Sequence, residues 1–190
     1  MTTTSKEHRA NEHDVHRRLV SDRVGSYERS GAMKRSINRV YADSSVFGGL
    51  FDREFAVDSR TFFEQVQAGR FKLLSSFLVA EELERAPDAV REFFDSMLST
   101  TELVRVSQEA ITLQAAYLSA GIVTPKSAAD GLHVALATVA GADLIVSWNF
   151  RHIVHFQKVP RYNAVNRLNG WPELAIHSPK EVLVYEDQDI

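Results

Sequence analysis

The stretch "VYADSSVF", residues 40–47, decides the fold, because it has the composition of a buried strand with one carboxylate inside it. Val40, Tyr41 and Phe47 are residue types that favour β-structure, whereas Asp43 is of a type depleted in strands. An ionised carboxylate that leaves water without a partner is too costly to persist. Asp43 therefore needs a cation, hydrogen-bond donors or a proton, and the rest of the sequence should indicate which.

From Arg39 onward, segments with the period of strands alternate with segments with the period of helices. We predict strands over residues 39–46, 71–76, 102–107, 143–148 and 181–186, and helices over 59–69, 77–86, 87–98, 108–121 and 124–141. Gly48 and Gly49 are expected to break the chain after the first strand, and Gly69 to close the first helix. Strands separated by helices indicate βαβ crossovers, so we expect a mostly parallel sheet of four or five strands covered on both faces.

The composition is that of an ordinary globular protein, with 44% hydrophobic and 25% charged residues in a chain of 190. The absence of cysteine excludes disulfides and thiolate chemistry and fits a reducing compartment. No apolar run approaches the roughly 20 residues that span a bilayer, and the first residues lack the apolar region of a secretory signal. We therefore expect a cytoplasmic protein with no membrane contact.

The charge is distributed unevenly. Residues 1–39 hold nine Lys or Arg against five Asp or Glu, whereas the remainder holds thirteen against twenty. We expect a basic, flexible arm over residues 1–37 and one domain over 38–190, with Met33 as an alternative start. A basic arm can indicate contact with nucleic acid, and it can also be a solvated tail.

Several acids are expected at one edge of the sheet, because ligands in open α/β sheets sit beyond the carboxyl ends of the strands. Asp43 lies toward the end of the first strand and Asn149 follows the fourth. Glu82, beside Glu81, and Asp130 are acids in otherwise apolar helices. Alone, Asp43 could cap a loop, the two glutamates could form an exposed face and Asp130 could pair with a buried arginine.

Carboxylates gathered around one cleft repel each other unless a cation compensates for their charge. Oxygen ligands without cysteine favour Mg²⁺ or Mn²⁺ over zinc. The stretch "RHIVH" (151–155) offers only two histidines and no acid beside them, so zinc is disfavoured. His133, three residues after Asp130, is expected to be a core residue or a neighbour of the site and not a metal ligand. No dinucleotide-binding or P-loop motif is present.

Three stretches together carry a family resemblance: "YADSSVF", an acid in a helix after "LLSS", and "AADGLHVALATVAGADLIVSWNF". In this order they resemble the PIN-domain ribonuclease family, and within it the VapC-type toxins of bacterial toxin–antitoxin pairs. The segment 162–182 is also similar to the C-terminal stretch of one branch of these toxins. The resemblance covers about residues 38–185 and implies a PIN-like three-layer α/β/α sandwich.

The resemblance implies a set of catalytic and metal-binding residues, which are Asp43, Glu82 (with Glu81 as the alternative), Asp130 and Asn149. The family usually has Asp where Asn149 stands, so this position keeps an oxygen donor but lacks a charge. The implied cofactor is Mg²⁺, with Mn²⁺ as a possible substitute. The implied activity is hydrolysis of RNA that leaves a 5′-phosphate.

We expect RNA to be contacted by Ser45, Ser147, Arg151 and His152, within a basic segment that continues through His155, Lys158, Arg161 and Arg167. That segment could also be only solvated charge. Trp148 is expected either to stack on a base or to pack in the core. The implied partners are an RNA substrate, an antitoxin protein and a second copy of the chain. The alternative function is a catalytically weakened PIN-like module that binds RNA or protein.

Overall fold

The central strand of the sheet is the one that precedes Asp43. The structure, a computed structural model, describes residues 38–184, so the predicted basic arm over 1–37 lies outside the described residues. The strands are β1 (Asn38–Ala42), β2 (Phe71–Ser76), β3 (Glu102–Val104), β4 (Leu144–Val146) and β5 (Ala175–His177). They form one all-parallel sheet in the order β3-β2-β1-β4-β5, with Val40 opposite both Leu73 and Leu144.

Eight α-helices connect these strands within the described residues. They are α1 (Ser44–Gly49), α2 (Ala56–Gln67), α3 (Phe77–Leu83), α4 (Asp88–Met97), α5 (Gln108–Ser119), α6 (Ala128–Val139), α7 (Val159–Leu168) and α8 (Pro179–Val182). Short 3₁₀ turns cover Leu98–Thr100 and Pro125–Ser127. None of the helices in residues 38–184 is long and apolar enough to cross a membrane.

The sheet is buried on both faces. Val40, Tyr41 and Ala42 are successive residues of β1 whose side chains point alternately to the two faces, and all three are fully buried. Helices α1 to α4 pack against one another, and α5 packs against α6 and α7. The expected α/β sandwich around a mostly parallel sheet of four or five strands is confirmed.

The predicted first strand was too long at its carboxyl end. It ends at Ala42, and the residues predicted to continue it as far as Val46 form helix α1 instead. Asp43 is the N-cap residue of that helix, in extended backbone conformation. Asp and Ser are common at helix starts, and here this local preference outweighs the apolar pattern although the Asp43 side chain makes no capping hydrogen bond; its carboxylate accepts from two serine hydroxyls instead.

The predicted fifth strand over 181–186 was wrong, as far as the structure describes it. Residues 179–182 form helix α8, where Ser178 and Glu181 make a reciprocal capping box and Pro179 occupies the first turn. The fifth strand is instead the three-residue β5, which pairs with β4. The sequence "SPKE" carried the helix-start signal, since Pro at the first position and Glu two residues later are typical of helix N-termini.

The other predicted elements agree with the structure within about four residues at either end. Gly69 follows α2 with a positive φ of 74°, as expected for a glycine that closes a helix. Gly49, predicted to break the chain, lies inside α1 instead. A Cβ at this position would stand 2.7 Å from the Trp148 indole, so only glycine lets the indole lie against the helix.

Candidate functional site

The polar residues gather at the carboxyl ends of β1 and β4. These two strands are adjacent. After β1 the chain continues to β2 and β3 on one side of the pair, and after β4 it continues to β5 on the other side. Such a reversal of strand order opens a crevice beyond the strand ends, where ligands bind in open α/β sheets. Asp43 directly follows β1, and Ser147 directly follows β4.

Asp43 is held by two serine hydroxyls. Its side chain is 3% exposed; Ser45 donates to Oδ1 at 2.6 Å and Ser147 donates to Oδ2 at 2.7 Å. Its carboxylate does not cap α1, although Asp43 is the N-cap residue. The structure therefore answers the question raised by residues 40–47: neutral hydrogen-bond donors accompany this carboxylate within the described residues.

The two hydroxyls are themselves oriented by backbone groups. The N–H of Trp148 donates to Ser45 Oγ at 2.8 Å, and the N–H of Asn149 donates to Ser147 Oγ at 2.9 Å. Because each serine oxygen accepts a backbone N–H, its own hydrogen is free to point at Asp43. Ser147 is fully buried. Its position therefore suits holding Asp43 and not the predicted contact with substrate, whereas Ser45 is partly exposed.

Asp130 and Asn149 meet at the same edge. Asn149 Nδ2 donates to Asp130 Oδ1 at 2.7 Å, and Asn149 Oδ1 accepts from the N–H of His152 at 2.9 Å. The backbone N–H can only donate, which fixes the oxygen of the amide on the His152 side. Asn149 therefore presents its nitrogen to Asp130, and its oxygen, the atom expected to bind a metal, is engaged elsewhere.

Glu82 and not Glu81 faces the site. The Glu82 carboxylate lies 3.1 and 3.2 Å from Nε2 of His133, whose side chain is 3% exposed. Glu81 is exposed, and the described contacts to His133 are made by Glu82. The expectation that His133 is a buried neighbour of the acids agrees with this geometry.

The electrostatics show that three acids share one neighbourhood. Burial raises the pKa of the Asp43 carboxyl above its ordinary value, although His133 and the two hydroxyls oppose the shift. Burial likewise raises the pKa of Asp130, against the charges of His152 and His133. Partial burial raises the pKa of Glu82 too, but the hydrogen bond and the charge of His133 lower it by more. The net pKa of Glu82 is therefore below the ordinary glutamate value. Glu82 raises the pKa of both aspartates, so its charge acts on both.

The donor set fits a hard divalent cation in its chemistry. Asp43, Glu82 and Asp130 supply only oxygen, the ligand type that Mg²⁺ and Mn²⁺ prefer, and burial together with the charge of Glu82 raises the pKa of both aspartates. Within residues 38–184, however, no three His, Asp or Glu side chains are already grouped as metal ligands. Mg²⁺ usually binds through one or two carboxylates and keeps several waters. This arrangement fits that mode, and a cage of three protein carboxylates does not fit it.

The predicted basic segment divides into two parts. His152 lies near Asp130, and its Nδ1 is 3.0 Å from Nζ of Lys158; Arg151 is exposed beside it. Burial, followed by the charge of Lys158, lowers the pKa of His152. Arg161 and Arg167 instead bind a backbone carbonyl of residue 120 and the carboxylate of residue 173. Only the first part borders the acids.

Aromatic side chains cluster around Trp148, just after β4. Trp148 stacks on Phe55 with ring centroids 4.4 Å apart, and its Nε1 donates to Ser59 Oγ at 2.9 Å. This favours the packing alternative for Trp148. Phe150, 6.0 Å from the Trp148 ring, is 48% exposed. Sequence reasoning missed Phe150, although its position directly after Asn149 was a usable signal, and missed Phe55, for which the sequence held none.

Two solved structures are similar to the chain at low identity. One is a toxin–antitoxin complex from Klebsiella pneumoniae, with 14% identity and a TM-score of 0.47 over 63% of this chain and 93% of the other. The second is VapBC2 from Rickettsia felis bound to a DNA fragment from its promoter, with 14% identity, a TM-score of 0.47, and 64% and 93% coverage. No protein-family model matches the sequence, and no curated protein matches it. Similarity at this level does not assign the chain to a family.

Proposed function

We propose that the chain is a metal-dependent endoribonuclease that hydrolyses RNA phosphodiester bonds, and that it acts as the toxin of a toxin–antitoxin pair. The observation that supports this most directly is the convergence of Asp43, Glu82 and Asp130 at the carboxyl edge of the sheet. Asp43 is buried there, and within residues 38–184 the donors to its carboxylate are two serine hydroxyls. A buried carboxylate whose pKa is raised, in a crevice and beside further acids, is typical of a functional site.

The cation would be held by Asp43 together with Asp130 or Glu82. A divalent ion bound there supplies positive charge to the phosphodiester and lowers the pKa of water. The residues of the chain prepare the position: Ser45 and Ser147 fix the Asp43 carboxylate, and Asn149 fixes that of Asp130. Because Asn149 is neutral, it orients Asp130 without compensating for its charge.

RNA is a polyanion, so positively charged side chains are needed for it to approach three carboxylates. Arg151 is exposed and Lys158 is partly exposed beside His152, so these groups can meet backbone phosphates next to the acids. Directly after Asn149 in the sequence, the exposed ring of Phe150 offers a surface on which an unpaired base can stack. The predicted roles of Arg151 and His152 in substrate binding are part of this proposal.

The toxin role rests on the sequence resemblance and on a groove between α2 and α4. The groove is lined by Leu50, Phe51, Phe63, Phe93 and by polar residues of α2. Phe51 is 50% exposed, so the groove offers apolar surface to an amphipathic segment of an antitoxin. A homodimer belongs to the same proposal and is tested by light scattering of the purified protein.

A second candidate function is a module that binds RNA or protein without cleaving it. Asn149 is the observation that favours it, because its amide gives Asp130 a neutral partner in place of a fourth acid. Only the first function requires metal-dependent cleavage of RNA, so a single cleavage assay separates the two functions.

The assay measures cleavage of a labelled RNA by purified protein with Mg²⁺ or Mn²⁺, and with EDTA in excess. We expect cleavage that EDTA abolishes, and a loss of at least about a hundredfold in Asp43→Asn, because a metal ligand is removed. Glu82→Gln and Glu81→Gln form a matched pair on α3. The first should reduce cleavage strongly, and the second should leave it unchanged because Glu81 is exposed and Glu82 is the glutamate that contacts His133.

If the wild-type protein and Asp43→Asn leave RNA equally intact while both bind it, the binding module is the correct function. If Glu81→Gln and Glu82→Gln lose activity equally, the placement of the site on α3 is wrong. The DNA upstream and downstream of the coding sequence gives an independent check, since a toxin gene should adjoin a small gene for a DNA-binding antitoxin.

A further inference from the structure

His133 is a buried residue that the proposed reaction does not use directly. It lies on α6, one turn after Asp130, and both of its ring nitrogens have partners. Nε2 is 3.1 and 3.2 Å from the two oxygens of Glu82, and Nδ1 is 2.9 Å from the hydroxyl of Tyr41. The ring therefore connects an acid of the site to the middle of the sheet.

The chain of contacts continues beyond Tyr41. The Tyr41 hydroxyl is 2.7 Å from Ser76 Oγ, and Ser76 Oγ accepts from the backbone N–H of Val79 at 3.3 Å. Tyr41 and Ser76 are fully buried, at the ends of β1 and β2. Four hydrogen bonds thus run in series from the first turn of α3 through the sheet and α6 back to Glu82 on α3.

The two ends of this series fix its direction. The N–H of Val79 can only donate, and an ionised Glu82 carboxylate can only accept. Ser76 then donates to Tyr41, Tyr41 donates to Nδ1 of His133, and the hydrogen of the neutral imidazole is on Nε2, where it faces Glu82. An imidazolium would turn the Tyr41 hydroxyl toward Ser76 and leave the Ser76 hydrogen without an acceptor among the described residues. Buried donors without acceptors are rare, so the first arrangement is favoured.

The geometry at Glu82 agrees with this direction. Both carboxylate oxygens lie within hydrogen-bond distance of Nε2, and an ionised carboxylate only accepts, so the hydrogen of the neutral ring is on Nε2.

We propose that His133 is a positioning residue: Tyr41 and Ser76 hold it in the Nε2–H tautomer, and it holds the Glu82 carboxylate ready for the cation. This inference rests on the proposed function, because Glu82 matters only if the acids bind a metal. Hydrogen bonds from a second layer of residues orient ligands, and their loss typically weakens metal affinity about 10- to 100-fold. Without His133, the Glu82 side chain is free to turn toward solvent, since it is partly exposed.

The first experiment reads the tautomer without metal or RNA. Long-range ¹H–¹⁵N correlation spectra of metal-free protein distinguish the two neutral tautomers of each histidine, and His133→Gln identifies the signal of residue 133. We expect the Nε2–H pattern in the wild-type protein and its loss or mixing in Tyr41→Phe, which removes the donor to Nδ1. An Nδ1–H pattern in the wild-type protein overturns the proposal.

The second experiment measures Mn²⁺ affinity by calorimetric titration. His133→Leu keeps the apolar volume but no donor, and we expect affinity to fall by about 10-fold or more. His133→Gln keeps an N–H near the position of Nε2 and should recover most of that loss. Tyr117→Phe is the matched control for Tyr41→Phe, because it removes another buried tyrosine hydroxyl, one that binds Asn166 away from the acids. It should leave Mn²⁺ affinity unchanged.

The proposal is overturned if His133→Leu binds Mn²⁺ as tightly as the wild-type protein, or if His133→Gln and His133→Leu lose the same affinity. A folded state in each variant is verified by its backbone amide spectrum, and Tyr41→Phe provides a milder change if His133→Leu does not fold. Failure of the nuclease proposal is distinguishable: a wild-type protein that cleaves no RNA, yet shows the Nε2–H tautomer and the expected order of Mn²⁺ affinities, disproves the nuclease and supports the positioning role.

Discussion

The two ends of strand β1 differ in how their charged side chains are compensated. Near the amino end, Arg39 Nη2 lies 2.8 Å from Glu102 Oε1, and Lys72 Nζ lies 2.7 Å from Glu102 Oε2. The hydrogen bond from Lys72, with the charge and hydrogen bond of Arg39, lowers the pKa of Glu102. Beyond the carboxyl end, Asp43 has two neutral hydroxyls, and burial raises its pKa.

In line with the proposed function, we interpret the amino end of the strand as organised for stability and the carboxyl end as organised for the site. Charges that are paired at a partly exposed site contribute modestly to the folded state, as at Arg39. Buried acids that lie near one another and have raised pKa values cost stability, and proteins retain such arrangements at functional sites. The contrast predicts opposite responses when a charge is changed at the two ends.

The largest effect on stability is expected when a charge is added at the carboxyl end. Asn149→Asp replaces the amide nitrogen that lies 2.7 Å from Asp130 Oδ1 by a second carboxylate oxygen. Loss of this hydrogen bond and the new repulsion should destabilise the metal-free protein by about 1–3 kcal/mol. Mg²⁺ should then raise the melting temperature of Asn149→Asp more than that of the wild-type protein. Thermal unfolding with EDTA and with Mg²⁺ checks this, and an equal Mg²⁺ shift in the two proteins would contradict it.

Removal of a charge at the same end should stabilise the metal-free protein. Because the pKa of Asp43 is raised in the folded state, its contribution to stability is complete below the ordinary aspartate pKa and is lost as the pH rises through the folded-state value. Asp43→Asn should therefore stabilise the metal-free protein at neutral pH by about 1 kcal/mol, which raises the melting temperature by about 2–4 °C.

This gain should shrink as the pH is lowered, because Asp43 is then protonated in the wild-type protein as well. The melting temperatures of Asp43→Asn and of the wild-type protein, measured in EDTA at several pH values between acid and neutral, give this gain in stability. Asp95→Asn, an exposed aspartate of α4, serves as the control and should show no such dependence. A gain in Asp43→Asn that is the same at every pH would rule out the uncompensated charge as its cause.

The carboxyl end also differs from the amino end in its exposed aromatic surface. Phe150→Ala, in an Asp43→Asn background that prevents cleavage, should weaken binding of a single-stranded oligoribonucleotide about fivefold, since stacking on one aromatic ring contributes about 1 kcal/mol or more. Phe156 is 93% exposed and is the matched control. Fluorescence anisotropy of a labelled oligonucleotide measures both variants. Equal losses in Phe150→Ala and Phe156→Ala would show that the ring of residue 150 has no special contact.

The smallest effect is expected at the amino end. Glu102→Gln removes the partner of Arg39 and Lys72, which are partly exposed, so the loss should be about 0.2–1 kcal/mol and should diminish at high salt. Unfolding in urea at low and high salt measures it. A loss larger than that caused by Asn149→Asp would reverse the ranking of the two ends.

The sequence was sufficient for the strands and helices that carry strong periodicity and clear caps. The alternation of elements from Arg39 to Trp148 predicted the parallel sheet, and parallel pairing then placed residues 43 and 149 at the same edge. The three-residue β5 was missed because its sequence, "AIH", lacks the longer apolar or alternating stretch, "ELVRVS" or "DLIVSW", that indicated the equally short β3 and β4. Its position depends on pairing with β4.

The partners of the site residues were largely beyond sequence reasoning. Tyr41 and His133 are separated by 92 positions, and Glu82 and His133 by 51, so only the folded chain shows that they touch. The orientation of the Asn149 amide depends on a backbone N–H three residues later. The sequence indicates which residue types the site contains, whereas the direction of their hydrogen bonds can be determined only from the folded structure.

The most direct test of the metal site is the anomalous diffraction of crystals soaked in Mn²⁺, collected near the manganese absorption edge. The proposed function predicts one strong peak within about 2.0–2.5 Å of a carboxylate oxygen of Asp43, with Asp130 or Glu82 as a second protein ligand. It also predicts that Asp43→Asn crystals lose this peak. A fully soaked wild-type crystal with no peak beside Asp43, or with manganese bound only at other surface acids, would contradict the account.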